Sequence, residues 1–119
     1  MPKKSAASRL RLRVLLTPDI ALGPGKAELL ERVQDTGSIS AAGRQMGMSY
    51  KRAWDLVDAM NRVFDEPVVL ASKGGSGGGG AVLTPFGTRV LARYRRIEQT
   101  CAEAAAADLR WLSAHCASP

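Results

Sequence analysis

Ser49-Tyr50-Lys51-Arg52 places a helix-capping hydroxyl, a phenol, an ammonium and a guanidinium in one continuous run. Lys51 and Arg52 can donate to phosphate oxygens or to guanine O6 and N7, and Tyr50 offers a hydroxyl or an apolar contact to a thymine methyl. A second run, Lys73-Gly74-Gly75-Ser76-Gly77-Gly78-Gly79-Gly80, contains six glycines and one serine after its lysine. Without side chains, such a backbone can come close to a phosphate or to a minor groove, and Lys73 adds charge. It is a poor nucleotide-cradling loop, because no Gly-Lys-Ser/Thr closes it and its lysine precedes the glycines.

Other chemistry has little to work with. His115 is the single histidine, and Cys101 and Cys116 are the two cysteines. The cysteines fall in one apparent helix with a separation of about 22 Å, beyond disulfide reach. His115 and Cys116 diverge by about 100° on that helix and have no further ligands nearby, so no metal site is expected. No serine or cysteine has a visible base partner, and the carboxylates are scattered, so an enzyme is not expected. With 17 Lys+Arg against 11 Asp+Glu the chain carries a charge of +6, which suits a polyanionic partner. No apolar run approaches the ~20 residues of a membrane span. Pro18 and Asp19 interrupt any signal-peptide core, so no membrane partner and a cytoplasmic location are expected.

These residues need elements to hold them. Residues 1–8 read as a mobile basic leader. Leu10, Leu12, Val14 and Leu16 alternate with Arg9, Arg11 and Arg13, predicting a half-buried strand over 9–16 ended by Pro18. Its arginines suit either a solvated edge or phosphate contact. A helix is predicted over 26–36, with Pro24 near its start, Leu29, Leu30 and Val33 inward, and Gly37 as its stop. Ser38 caps a second, short helix over 39–46, in which Gly43 permits close packing. Gly47 supplies a left-handed turn, and Ser49 caps a third helix from Tyr50 to about Phe64. Trp54, Val57, Met60 and Phe64 form its inner stripe. Val68-Val69-Leu70 and Ala81-Val82-Leu83 read as paired strands flanking the glycines. Thr84-Pro85 starts a helix that can run to about Cys116. On it, Arg93, Arg95 and Arg96 read mainly as a solvated basic face. Val90, Tyr94, Ile97, Cys101, Ala105, Leu109, Leu112 and Cys116 form one stripe, suited to a seam with a second copy.

Two helices joined by a short Gly47 turn and followed by a strand–loop–strand unit make a helix-turn-helix with a wing. The fold class expected is mainly α (α+β), a winged helix-turn-helix over residues 9–84 with a long helix over 85–119 as dimerisation element.

Gly37-Ser38-Ile39-Ser40-Ala41-Ala42, Gly47-Met48-Ser49-Tyr50-Lys51-Arg52-Ala53-Trp54-Asp55, Met60-Asn61 and Gly77-Gly78-Gly79-Gly80-Ala81-Val82-Leu83-Thr84, with Gly87 after it, carry a resemblance. Together they resemble the N-terminal DNA-binding domain of ModE-type molybdate-responsive transcriptional regulators, over about residues 10–115. The first half of the helix-turn-helix also looks like that of LysR-type regulators. The resemblance implies a homodimer on double-stranded DNA. Ser49, Tyr50, Lys51 and Arg52 then enter the major groove, and Lys73 to Gly80 approach the backbone. It also implies that molybdate is bound in separate domains, so no cofactor is expected within these residues. An architectural or nonspecific nucleic-acid-binding winged helix is the alternative. A winged helix serving protein interaction alone is disfavoured by the charge.

Overall fold

The computed structural model describes residues 10–75 and 78–117, with the side chains of residues 73–79 outside that description. Its elements are β1 (Val14–Thr17), β2 (Ile20–Leu22), α1 (Pro24–Thr36), α2 (Ile39–Gln45), α3 (Tyr50–Val63), β3 (Val69–Gly75), β4 (Gly78–Leu83), α4 (Pro85–Ala104) and α5 (Ala106–Ala114). The architecture is mixed α+β, mainly helical, with the arrangement of a winged helix. No helix among the described residues is long and apolar enough to cross a membrane.

The three central helices are delimited by local chemistry. Pro24 occupies the first turn of α1, where its missing N–H costs nothing. Gly37 ends α1 at φ 72°, with its N–H bonded to Val33 O. Ser38 accepts from Ala41 N at 3.0 Å and starts α2. Gly47, at φ 73°, turns the chain from α2 toward α3. At the crossing of α2 and α3, a Cβ on Gly43 would stand 2.7 Å from Ala53 Cβ, so only glycine lets the two helices approach this closely. Ala27, Leu29, Leu30, Val33, Ile39, Ala42, Ala53, Val57 and Met60 fill the core between them. Each large aliphatic side chain buried here contributes about 1.5–3 kcal/mol.

The wing is fastened to this core at three points. Ala81 N donates to Gly37 O at 2.8 Å, tying β4 to the corner between α1 and α2. Asn61 of α3 accepts from Val68 N at 2.7 Å and Val69 N at 3.1 Å, and donates to Val69 O at 3.0 Å. Thr84 accepts from Gly87 N and donates to Pro67 O, both at 2.8 Å, so one hydroxyl caps α4 and holds the base of the hairpin.

Three expectations need correction. The strand predicted over 9–16 starts only at Val14. It folds back as a hairpin, because Thr17 Oγ1 accepts from Asp19 N and Ile20 N across the Pro18-Asp19 turn. An irregularity in register between Leu15 and Thr17 accompanies the exposure of Leu16. Second, the wing strands extend into the glycines, with Gly75 opposite Gly78, because a β-ladder needs only backbone groups. Third, the long helix is divided at Ala105, whose φ of −96° and ψ of 4° leave helical values. Alanine is the best helix former, so local propensity does not impose this break. Leu91 and Tyr94 of α4 pack in the same core as α1 to α3. The leader at residues 1–8, Arg9, Ser76 and Gly77 lie outside the described residues.

Candidate nucleic-acid interface

Ser49 holds the start of α3 in the capped conformation, its Oγ accepting from Arg52 N at 3.1 Å. Tyr50, Lys51 and Arg52 all point to solvent, Tyr50 with 65% of its surface exposed. The Tyr50 ring leans on Trp54, centroids 6.1 Å apart, while Val57 and Met60 below are buried. Trp54 packs half-buried against the core, and its indole Nε1 is buried with no hydrogen-bond partner among the described residues. Lys51 Nζ lies 2.9 Å from Asp55 Oδ2, one helical turn on. Both side chains are well exposed. Such a pair contributes about 0.3–0.5 kcal/mol, so an incoming phosphate or base readily displaces it. Asp55 as partner of Lys51 was missed in the sequence, although the four-residue spacing signals it.

The wing is tied to the α1–α2 corner through Ala81 and Gly37, and to the C-terminal half of α3 through Asn61. Its register pairs Val69 with Leu83, Leu70 with Val82, Ala71 with Ala81 and Ser72 with Gly80. Leu70 and Val82 thus stand opposite one another, both exposed. The backbone at Lys73, Gly74, Gly75, Gly78, Gly79 and Gly80 is part of the hairpin.

The stripe proposed for a seam divides in two. Tyr94 is 1% exposed, and its hydroxyl donates to Leu12 O at 2.6 Å, so it fastens the N-terminal segment to the core and presents nothing to a second copy. Burial first, and Glu98 after it, push the Tyr94 phenol above its usual pKa. Val90 also packs against the core. Ile97 and Leu112 are exposed, while Cys101, Ala105 and Leu109 are half-buried. Ala102, Ala106 and Leu109 line a groove of about 1010 Å³, with Glu28 and Glu31 of α1 on its far wall.

Arg95 is not part of a free basic face. Its guanidinium bridges Glu31 at 2.6 Å and 3.2 Å, and Glu98 at 2.8 Å, pinning α4 to α1. The Glu31 hydrogen bond is the main reason its pKa lies above the ordinary arginine value. Nothing in the sequence pattern singled out Arg95 from Arg93 and Arg96, because Glu31 is distant in sequence. Both cysteines are free thiols. Among the described residues no group of three or more His, Cys, Asp or Glu could hold a metal ion.

No protein-family model matches the chain. The molybdenum-pterin-binding protein MopB of Rhodobacter capsulatus is 53% identical over 77 residues, 65% of this chain and 28% of MopB. The molybdenum transport protein ModE of Azotobacter vinelandii is 42% identical over 94 residues, 77% of this chain and 35% of that protein. The DNA-binding transcriptional dual regulator ModE of Escherichia coli K12 is 36% identical over 92 residues, again 77% of this chain and 35% of the relative. The chain thus spans about a third of the length of these relatives. With this identity over most of its residues, the chain is a homologue of the ModE-type molybdate-responsive regulators.

Proposed function

We propose that this chain is a sequence-specific DNA-binding module of a transcriptional regulator, reading an inverted-repeat operator as a dimer in the cytoplasm. The observation that carries this reading is the first turn of α3: a capped, exposed helix start bearing Tyr50, Lys51 and Arg52, in a fold that also carries a glycine-rich hairpin. Such a helix start fits the major groove, and a wing of this composition fits the adjoining backbone. One of the relatives named above supports it by its name, that of a DNA-binding transcriptional dual regulator. Molybdenum enters through the names of the other two. The reading assigns it no site on residues 10–117.

Titration of a selected inverted-repeat duplex and a scrambled one, at several salt concentrations, tests the proposal. The expected result is salt-sensitive binding to both with a clear preference for the repeat. Lys51→Ala should erode that preference, since one base-reading side chain carries about 1–3 kcal/mol of discrimination. Equal affinity of the unaltered protein for both duplexes sinks sequence-specific reading and leaves an architectural clamp.

A further inference from the structure

Thr36, Gly37 and Ser38 form the corner between α1 and α2, and the backbone groups of Gly37 and Ser38 all have partners. Gly37 N donates to Val33 O at 2.8 Å, and Ser38 O accepts from Ala42 N at 3.0 Å. Ser38 N donates to Thr36 Oγ1 at 3.1 Å. Gly37 O accepts from Ala81 N of β4 at 2.8 Å. The Thr36 hydroxyl is itself anchored, with its single proton shared between Arg32 O at 2.7 Å and Ser38 O at 3.0 Å.

The Gly37 C=O and the Ser38 N–H belong to one peptide unit. In a planar trans peptide these groups point in opposite directions, so holding one aims the other. Thr36 holds the N–H end, and β4 hangs from the C=O end. Without that hold the plane is free to turn, because Gly37 sits at φ 72° and a residue without Cβ has the neighbouring conformations open to it. One hydroxyl at the end of α1 therefore aims the acceptor that carries the wing. Its place along the hairpin matters. Ala81 pairs with Ala71, and the next pair toward the glycines is Ser72 with Gly80. Among the described residues, Asn61 and Thr84 act only at the root of the hairpin, on Pro67, Val68 and Val69. The bond from Ala81 to Gly37 is the one that reaches furthest toward the tip.

We infer that Thr36 is a positioning residue for DNA binding, its hydroxyl setting the angle at which the glycine hairpin meets the phosphodiester backbone. This rests on the function proposed above and adds a residue that lies in neither α3 nor the wing. Glycines carry no side chain that could stretch toward a phosphate. Hydrogen bonds from their backbone N–H groups depend steeply on distance and angle, hence on where the hairpin is held.

The test compares the whole chain with its Thr36→Val and Thr36→Ser variants by amide hydrogen exchange and by titration with the selected and scrambled duplexes. Thr36→Val keeps the branched shape and removes the hydroxyl. Exchange at Ala81 N should quicken by about 2- to 10-fold, the worth of one hydrogen bond, while Val69 N, held separately by Asn61, keeps its rate. Affinity should fall by a similar factor on both duplexes, because phosphates are common to every sequence. Thr36→Ser restores the hydroxyl and should restore both readings. Thr36 is half-buried and outside the central core, so the valine variant should fold, and the serine variant carries the comparison if it does not. Unchanged exchange at Ala81, equal quickening at Ala81 and Val69, or a loss confined to the selected duplex overturns the positioning role and leaves the function standing. Failure of the unaltered protein to bind either duplex overturns the function, and the role with it.

Discussion

At the scale of single residues, the interface depends on side chains that never touch a partner. Asn61 spends both ends of its amide on the backbone of Val68 and Val69, the point where the chain leaves α3 and enters the wing. Those backbone groups are buried with Val68 and Val69 and have no solvent to fall back on. Asn61→Ala should therefore lower stability by about 1–3 kcal/mol, the penalty of buried groups left unpaired. Urea unfolding checks this, and a loss below a few tenths of a kcal/mol would show that water or another side chain takes over. The sequence made Ser38, Ser49 and Thr84 legible because a cap acts on a backbone group three residues away. Asn61 and Tyr94 act across 8 and 82 residues respectively, so no local pattern announces them. Arg95 was misread for the same reason: its helical position suggested a free face, and only the fold brings Glu31 to it.

Among the elements, the crossing of α2 and α3 sets how α3 projects. Gly43 is buried there against Ala53. Gly43→Ala adds a methyl where the nearest carbon is another methyl on a packed helix, so the helices must separate. Overpacking of this kind costs about 1–3 kcal/mol. We expect the variant to remain folded at reduced melting temperature and to lose DNA affinity by more than the small change in folded fraction explains. Circular dichroism melting beside duplex titration separates the two effects; full affinity in the folded variant would mean that the crossing tolerates the change. The glycine at this crossing was legible in the sequence, as were the caps and the Gly47 turn, because each is dictated by local backbone geometry. The β1–β2 hairpin was not. Its second strand is three residues long, and its turn depends on a threonine side chain rather than on glycine. The break at Ala105 was equally hidden, since a run of alanines favours continued helix.

For the whole molecule, shape argues for a second copy. A compact chain of this length has a radius of gyration of about 13.5 Å. The observed value is 17.0 Å, with extents of 55 × 32 × 23 Å. At one end of the chain stands α5, which has nine residues and none of them buried. A helix so short is not stable in water on its own, and its Trp111 and Leu112 are 61% and 56% exposed. With Tyr94 and Val90 turned into the core, the proposed seam reduces to Ile97, Cys101, Ala105, Leu109 and Leu112. Small side chains at two of these five positions let a partner helix come close. Pairing through it would present two α3 helices to major-groove faces about 34 Å apart. Leu109→Glu places a charge in this seam, away from the winged helix. The unaltered protein should sediment as a dimer at micromolar concentration, and the variant as a monomer with part of its α5 helicity lost. Affinity for an inverted repeat should fall by about 10²-fold or more as the second contact becomes bimolecular, while affinity for a single half-site is kept. If the unaltered protein is monomeric, or the variant remains dimeric, the surface joining two copies lies elsewhere, with the exposed Leu15 and Leu16 of β1 the next to test.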